Sequence, residues 1–306
     1  MAKLTIKFGL LVAAFLSVAS ALSAQTAKTS IEVPFEFVHN QIVVEVRIAG
    51  KGPFNFLVDT NTDPSAIDSA TARELGLQLG AQGAPASGGG SERTTVYPTR
   101  LPQVELGGIT VKEIAAAAVD LTKFSQKIER PIHGILGYSF LKDRIIQIDY
   151  PNSKLRFFAQ SPYPHIQLGP NTVNLIAAPF RYEDGEVIID SLFVNNEKMR
   201  AALDTGSSGS FALTPEAVAI LKLEDQGHEV ESDSVGYNGA YKTKAGVLKS
   251  VRLGRYSVDS VPATFWLPNT GHDGKKFQVN IGNGFFQSFI MTFDFKGKMV
   301  VFERVD

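Results

Sequence analysis

Alternating apolar and polar positions predict β-strands along most of the chain. One such run has every second residue apolar, at Ile42, Val44, Val46 and Ile48. Short helices are expected after two later turns. Thr214 is a good N-cap before Pro215, and Asp68 or Ser69 precedes a helix that Gly76 ends. The pattern therefore predicts an all-β fold with small helices.

The chain repeats this pattern. An offset of 145 residues, the separation of Asp59 from Asp204, brings the two halves into register. The identical residues at this offset are Pro34-Phe35 and Pro179-Phe180, Asp59-Thr60 and Asp204-Thr205, Ser65 and Ser210, Gly137 and Gly282, Phe140 and Phe285, Asp149 and Asp294, and Phe157 and Phe302. Such ordered identities indicate a duplication. We therefore predict a signal segment over 1–24, an N-terminal lobe over 25–160, a Pro-containing linker over 161–171 and a C-terminal lobe over 172–306.

Asp59 and Asp204 occupy equivalent positions in the two halves, each at the end of an apolar run and followed by Thr. Two carboxyls held about one water molecule apart share a proton, because both cannot ionise easily. One then acts as a base and the other as an acid. Such a pair can activate water against an amide without a metal or a covalent intermediate. The duplication predicts that each lobe supplies one carboxyl.

The sequences around these aspartates resemble a known enzyme family. The runs ALDTGSSGSFALT, VNIGNGFFQSFIMTFDF and HGILGYSFLKDRIIQIDYPNSKLRFF are similar to retropepsin-like and pepsin-like aspartic proteases (clan AA), most closely to exported bacterial retropepsin-like proteins. The resemblance covers nearly all of the chain after the signal segment. It implies a bilobal acid-protease fold with two homologous β-barrel-like lobes and hydrolysis of internal bonds in a peptide or protein substrate. It implies no cofactor, no metal and a monomer, since one chain supplies both aspartates.

The resemblance assigns roles to residues beside the two catalytic aspartates. Thr60 and Thr205 would form hydrogen bonds between the lobes beneath the site. Thr62 and Ser207 would offer hydroxyls to the carboxylates, which favours the ionised form. Gly206 completes the second-lobe Asp-Thr-Gly motif.

The resemblance also predicts strands behind the two Asp turns, marked by Gly137 and Gly282. Hairpins around 87–97 and 234–244 would be flaps that close over an extended peptide. The flap candidates are Gly88, Gly89, Gly90, Tyr97, Tyr237 and Tyr241. The sequence does not distinguish among the three tyrosines.

The first-lobe motif departs from the family pattern at Asn61, where the family has Gly. Glycine serves where the backbone is unusual or another chain comes close, and Asn is the residue that best tolerates the left-handed region. Asp63 adds a third acid, which is expected to raise a neighbouring carboxyl pKa. Two alternatives follow: an aspartic endopeptidase that tolerates Asn61, or a peptide-binding pseudoprotease.

Composition and charge narrow the possible partners. The chain of 306 residues has a net charge of -1, which gives no reason to expect nucleic acid or an acidic membrane surface as a partner. The absence of cysteine excludes disulfides, a thiol nucleophile and thiolate metal sites. The five histidines are scattered and are expected on the surface or in loops, and Trp266 is expected to be a packed strand residue.

The first residues predict export. Lys3 and Lys7 form a positive segment, the apolar run FGLLVAAFLSVASA follows, and small residues offer cleavage after Ala21 or Ala24. An uncleaved anchor is the alternative, but the apolar run is shorter than the roughly 20 residues that a spanning helix needs. We therefore expect a periplasmic or secreted protein with no stable membrane span.

Overall fold

Strands account for most of the chain. The computed structural model describes residues 30–86, 89–90, 92, 94–163, 174–226, 228–230, 235–236 and 239–305. The predicted signal segment and most of the predicted linker lie outside the described residues, as do Gly88 and Tyr237.

The first half contains eleven described strands and three helices. The strands are β1 (Ser30–Pro34), β2 (Glu36–Val38), β3 (Gln41–Ile48), β4 (Lys51–Val58), β5 (Ser65–Asp68), β6 (Ala84–Pro85), β7 (Thr95–Leu106), β8 (Ile109–Val119), β9 (Gly134–Leu136), β10 (Ile145–Asp149) and β11 (Lys154–Phe158). The helices are α1 (Ser69–Glu74), α2 (Thr122–Ile128) and α3 (Tyr138–Leu141).

The second half repeats this order with small differences. Its strands are β12 (Leu175–Glu183), β13 (Glu186–Val194), β14 (Glu197–Leu203), β15 (Phe211–Leu213), β16 (His228–Val230), β17 (Val235–Gly236), β18 (Gly239–Ala240), β19 (Thr243–Leu253), β20 (Tyr256–Trp266), β21 (Val279–Ile281), β22 (Phe289–Asp294) and β23 (Met299–Arg304). Its helices are α4 (Pro215–Ile220) and α5 (Asn283–Phe286).

The two halves form two lobes with the same topology. In the first lobe β4 pairs in parallel with β9, and β5 pairs with both β9 and β8. In the second lobe β14 pairs in parallel with β21, and β15 pairs with both β21 and β20. The fold is therefore all-β and bilobal, the acid-protease architecture.

A sheet shared by both lobes joins them. Its strand order is β1-β11-β10-β22-β23-β12, so that β10 and β22 are adjacent at its centre. These two strands run antiparallel with Gln147 opposite Thr292, and the Gln147 side chain donates to the Thr292 hydroxyl at 3.0 Å. The two residues are 145 positions apart. A residue that pairs with its own repeat equivalent lies on the pseudo-twofold axis, so this axis passes through the centre of the shared sheet.

A continuous apolar core extends from one lobe to the other. It contains side chains from β3 and β4, from the shared sheet and from β13 and β14. The largest fully buried residues are mainly aromatic: Phe56, Phe140, Phe265, Phe286, Phe289, Phe293 and Phe302. Because the chain has no cysteine, burial of these rings replaces disulfides in holding the structure together.

Helix starts follow the predicted caps. The Asp68 carboxylate accepts from the backbone N–H groups of Ala70 and Thr71 at the start of α1. The N-cap of α1 is therefore Asp68 and not Ser69. The Thr214 hydroxyl accepts from the Ala217 N–H, and Pro215 is the first residue of α4. Among the described residues, no helix combines the length and the apolar character needed to cross a membrane.

Candidate active site

The two Asp turns meet at the base of a cleft between the lobes. Asp59 directly follows β4, and its N–H donates to the Leu136 carbonyl of β9 at 3.0 Å. Asp204 follows β14, and its N–H donates to the Ile281 carbonyl of β21 at 2.9 Å. The two carboxyls lie within hydrogen-bonding reach of each other. The cleft has a volume of about 570 Å³ and is lined by both aspartates.

Thr60 and Thr205 hold the two turns together by reciprocal hydrogen bonds. Each hydroxyl accepts from the backbone N–H of the other threonine at 3.1 Å. Each also donates across the interface, Thr60 to the Leu203 carbonyl at 2.6 Å and Thr205 to the Val58 carbonyl at 2.9 Å. Both threonines are buried. The twofold axis of the shared sheet therefore also passes between the aspartates.

Hydrogen-bond donors surround the two carboxylates unequally. Asp59 Oδ1 accepts from the Asn61 N–H at 2.7 Å, and Asp59 Oδ2 accepts from the Thr62 hydroxyl at 2.6 Å. Asp204 Oδ1 accepts from the Gly206 N–H at 2.9 Å. The Gly206 N–H also reaches Asp59. Asp59 thus receives the larger share of the donors.

The second-lobe hydroxyl is not where the sequence placed it. Asp204 Oδ2 accepts from the Asn280 side-chain amide at 2.9 Å. Ser207 lines the cleft and donates its N–H to the Asp204 carbonyl at 3.2 Å, but among the described residues its hydroxyl makes no hydrogen bond to the Asp204 carboxylate. Asn280 lies on β21, at the position equivalent to Ile135 of the first lobe. The equivalence of Thr62 and Ser207 is therefore a matter of sequence position and not of contacts.

Burial raises the pKa of both aspartates. For Asp59, burial is opposed by the hydrogen bonds from Thr62 and Asn61. The pKa of Asp204 is raised well above its usual range by burial, then by the negative charges of Asp59 and Glu186. These shifts favour a pair that retains one shared proton above the ordinary pKa of an aspartate.

Glycines are required where the two loops approach the site. A Cβ on Gly206 would overlap the Asp59 carboxylate. A Cβ on Gly137 would overlap the Thr62 carbonyl, and a Cβ on Gly282 would overlap the carbonyls of Ser207 and Gly209. Close approach, and not a left-handed backbone, is the reason for glycine at these three positions.

Comparison with known proteins identifies the family of the chain. A family model described as aspartyl protease matches the chain twice, over residues 44–140 and 191–285, which together make up more than half of the chain. The chain belongs to the aspartyl protease family. Each lobe carries one match to the family model. Basic 7S globulin from soybean is a similar solved structure, with a TM-score of 0.48 and 13% identity over 90% of this chain and 95% of its own. No curated protein sequence matches.

The variant residue of this aspartyl protease family member, Asn61, occupies its turn without a left-handed backbone. Its φ is not positive, so the expectation based on left-handed tolerance does not apply. Its Oδ1 accepts from the Val187 N–H of β13 at 3.0 Å, which links the first-lobe turn to the second lobe. Its Nδ2 is buried and has no partner among the described residues.

Asp63 does not supply the like charge that the sequence suggested. It is exposed at the cleft rim. Burial raises the pKa of Tyr138 and Tyr182, and the negative charge of Asp63 raises both pKa values further. The additional carboxyl that raises the pKa of Asp204 belongs to Glu186 instead. Glu186 forms an ion pair with Lys275 at 3.1 Å, and both residues line the cleft. Sequence reasoning missed both residues.

The cleft walls differ between the lobes. The first-lobe wall includes the apolar residues Leu57, Phe124, Ile128 and Ile135. In the second-lobe wall Trp266 stacks on His272, with ring centroids 3.8 Å apart. His272 lies in the loop between β20 and β21, within the expectation of a surface or loop position, and is buried there with 6% exposure. Burial, and then the charge of Lys275, lowers the pKa of His272 to about 4, so that the ring is neutral at neutral pH.

The described flap candidates separate into two groups. Gly89 and Tyr241 line the cleft, and Gly89 lies against the rings of Tyr241 and His272 and the backbone of Gly236. Gly90 donates its N–H to the Thr270 carbonyl at 3.1 Å. Tyr97 is 39% exposed and is not among the residues that line the cleft. Of the two described flap-candidate tyrosines, Tyr241 is therefore the one that lines the cleft.

A second depression lies on the first lobe and does not include Asp59 or Asp204 in its lining. It has a volume of about 680 Å³ and lies between α1 and α2, with Asp68, Glu74 and Arg130 in its lining. It is more open than the cleft between the lobes, and Asp68 there is already occupied as the cap of α1. Of these two depressions, the cleft between the lobes is therefore the one that contains Asp59 and Asp204.

Proposed function

We propose that the protein is an aspartic endopeptidase that hydrolyses internal peptide bonds with water activated between Asp59 and Asp204. The observation that carries this proposal is the pair of Asp turns, locked by the reciprocal Thr60 and Thr205 hydrogen bonds, with both carboxyls within reach of each other in a cleft. Membership of the aspartyl protease family supports it.

The unequal surroundings of the carboxyls suggest their roles. Asp59 receives hydrogen bonds from Asn61, Thr62 and Gly206, which stabilise its ionised form. Asp204 lies beside two negative charges, which favour its protonated form. In the proposed reaction the Asp59 carboxylate takes a proton from the attacking water, and the Asp204 carboxyl gives its proton to the peptide carbonyl oxygen. The tetrahedral intermediate then collapses: Asp59 gives the proton that it took from water to the leaving nitrogen, the C–N bond breaks, and Asp204 takes back a proton from a hydroxyl of the intermediate as the carbonyl re-forms.

Substitution of either aspartate tests the proposal. Asp59→Asn or Asp204→Asn removes one carboxyl of the pair, and we expect cleavage of a peptide mixture, read by mass spectrometry, to fall by a factor of at least about 10³. Asp143→Asn is the matched control, because Asp143 is exposed and lies outside the cleft lining. Undiminished cleavage by Asp204→Asn would rule out the proposed chemistry.

The alternative function, a peptide-binding pseudoprotease, rests on the presence of Asn61 in the first-lobe motif. It predicts that the unsubstituted protein binds peptides in the cleft and cleaves none of them at any pH. The same peptide mixture distinguishes the two functions, because retention of intact peptides by the protein would replace the appearance of fragments.

A further inference from the structure

Glu186 and Lys275 form an ion pair inside the cleft, beside the aspartates. Glu186 is the first residue of β13, and its side chain is 14% exposed. Lys275 reaches it from the loop before β21, and its side chain is 26% exposed. Partial burial removes some of the water around both charges, so the position of this ion pair beside the aspartate pair calls for a physical explanation.

The start of β13 is fixed from the opposite lobe. The N–H of Val187, the residue after Glu186, donates to Asn61 Oδ1 at 3.0 Å. The variant residue of the first-lobe motif therefore anchors the strand that carries Glu186. A glycine at position 61 has no side chain and could not make this hydrogen bond.

The equivalent position in the first lobe carries an amide instead of a carboxyl. Gln41, the repeat equivalent of Glu186, is the first residue of β3, and its Nε2 donates to the Gly206 carbonyl at 2.9 Å. Both residues therefore begin equivalent strands and line the same cleft. The fold accepts glutamine at this place, so that the negative charge of Glu186 is an asymmetry that the architecture does not require.

The charged groups that face Glu186 come from several elements. Lys275 faces it from the loop before β21, Asp59 from the first-lobe turn and Asp184 from the turn before β13. The Tyr182 hydroxyl on β12 also experiences its charge. Burial raises the pKa of Glu186, and Lys275 opposes that shift. Asp204 faces Asp59 and Glu186 and accepts a hydrogen bond from Asn280.

We propose that Glu186 is a positioning residue that acts through Asp204: its carboxylate, held by Lys275, keeps the shared proton on the aspartate pair and so sets the upper limit of the pH range for cleavage. This inference rests on the proposed function. It gives the Glu186–Lys275 ion pair an electrostatic role, because the fold itself does not require a charged residue at this position.

The pH dependence of cleavage tests the proposal. In Glu186→Gln the negative charge is lost and Lys275 is left as an unopposed cation, and both changes lower the pKa of Asp204. We expect the upper half-activity point of kcat/KM to move to lower pH by about one unit. Glu183→Gln is the matched control, because Glu183 pairs with Glu186 across the same hairpin but forms its ion pairs with Arg181 and Arg200.

A second measurement does not depend on turnover. The pKa values of Glu186 and Asp204 are raised from their ordinary values of 4.5 and 3.8, so that the folded protein holds these protons more tightly than the unfolded chain. The resulting stabilisation is fully present below the ordinary pKa values and is lost as the pH rises through the raised ones. As the pH rises from about 4, the Tm of the unsubstituted protein should therefore fall more steeply than that of Glu186→Gln. The pKa of Glu183 is lowered by its hydrogen bond to Arg200, so that Glu183→Gln should not flatten the curve.

The outcomes separate the two proposals. A pH profile and a Tm curve of Glu186→Gln that both superimpose on those of the unsubstituted protein would overturn the role of Glu186. If the unsubstituted protein cleaves nothing, the proposed function fails, and the Tm curves of Glu186→Gln, Asp204→Asn and the double variant then decide whether Glu186 is coupled to Asp204, because coupled carboxyls give non-additive changes. A reduced kcat/KM with an unmoved upper half-activity point would show a purely structural role and would also overturn the inference.

Discussion

At the scale of single residues, Asn61 and Gly206 occupy equivalent positions but have opposite requirements. Gly206 has no room for a side chain, because a Cβ there would overlap the Asp59 carboxylate. The side chain of Asn61 is accommodated and accepts a hydrogen bond from the Val187 N–H. The departure from the family motif is therefore part of the contact between the lobes. It does not open the turn or displace Asp59 from its donors.

Exchanges at these two positions should have unequal effects. Asn61→Gly leaves the Val187 N–H without its acceptor and adds backbone freedom, so that we expect the free energy of unfolding to fall by about 1–3 kcal/mol. Gly206→Asn should abolish cleavage, because the new side chain overlaps the Asp59 carboxylate. Urea unfolding and the peptide assay measure the two effects. Higher stability together with faster cleavage in Asn61→Gly would show that Asn61 is a defect and not an anchor.

At the scale of elements, the loops after β4 and β14 carry the site, and the reciprocal threonine bonds fix their relative position. Thr205→Val removes the acceptor of the Thr60 N–H and the donor to the Val58 carbonyl, both of which are buried. We expect the free energy of unfolding to fall by about 2–4 kcal/mol. Thr110→Val, at an exposed position of β8, should change it by less than about 0.5 kcal/mol. Equal effects of the two substitutions in urea unfolding would contradict the bridging role of Thr205.

Local patterns predict the elements of this fold better than the walls of its cleft. Strand alternation, the helix caps and the repeated Asp-Thr pairs are short-range features, and the structure contains the corresponding elements. The Glu186–Lys275 pair joins residues 89 positions apart, and the Asn280–Asp204 hydrogen bond joins residues 76 positions apart. Neither sequence segment indicates its partner. The loop position of His272 fits the expectation of a surface or loop residue, but its burial was not predicted, since only the tertiary structure brings it against Trp266.

At the scale of the whole molecule, duplication explains both the architecture and the single site. The twofold axis passes through the Gln147–Thr292 pair of the shared sheet and between Thr60 and Thr205. Each lobe contributes one carboxyl, and the axis passes between the two. The repeat was visible in the sequence because Asp59-Thr60 and Asp204-Thr205, which lie beside this axis, are identical in the two halves. The asymmetry of charge between the two lobes was not visible in the repeat, because it arises at Gln41 and Glu186, where the two halves differ.

Digestion of a diverse peptide mixture by the unsubstituted protein, followed across pH by mass spectrometry, tests the assignment of function most directly. If one shared proton on Asp59 and Asp204 is required, internal peptide bonds should be cut within a bounded pH range. The upper end of that range should lie above the ordinary aspartate pKa of 3.8, because burial raises the pKa of both residues. No cleavage at any pH, with peptides retained intact, would contradict the assignment and would favour a binding protein built on the same cleft.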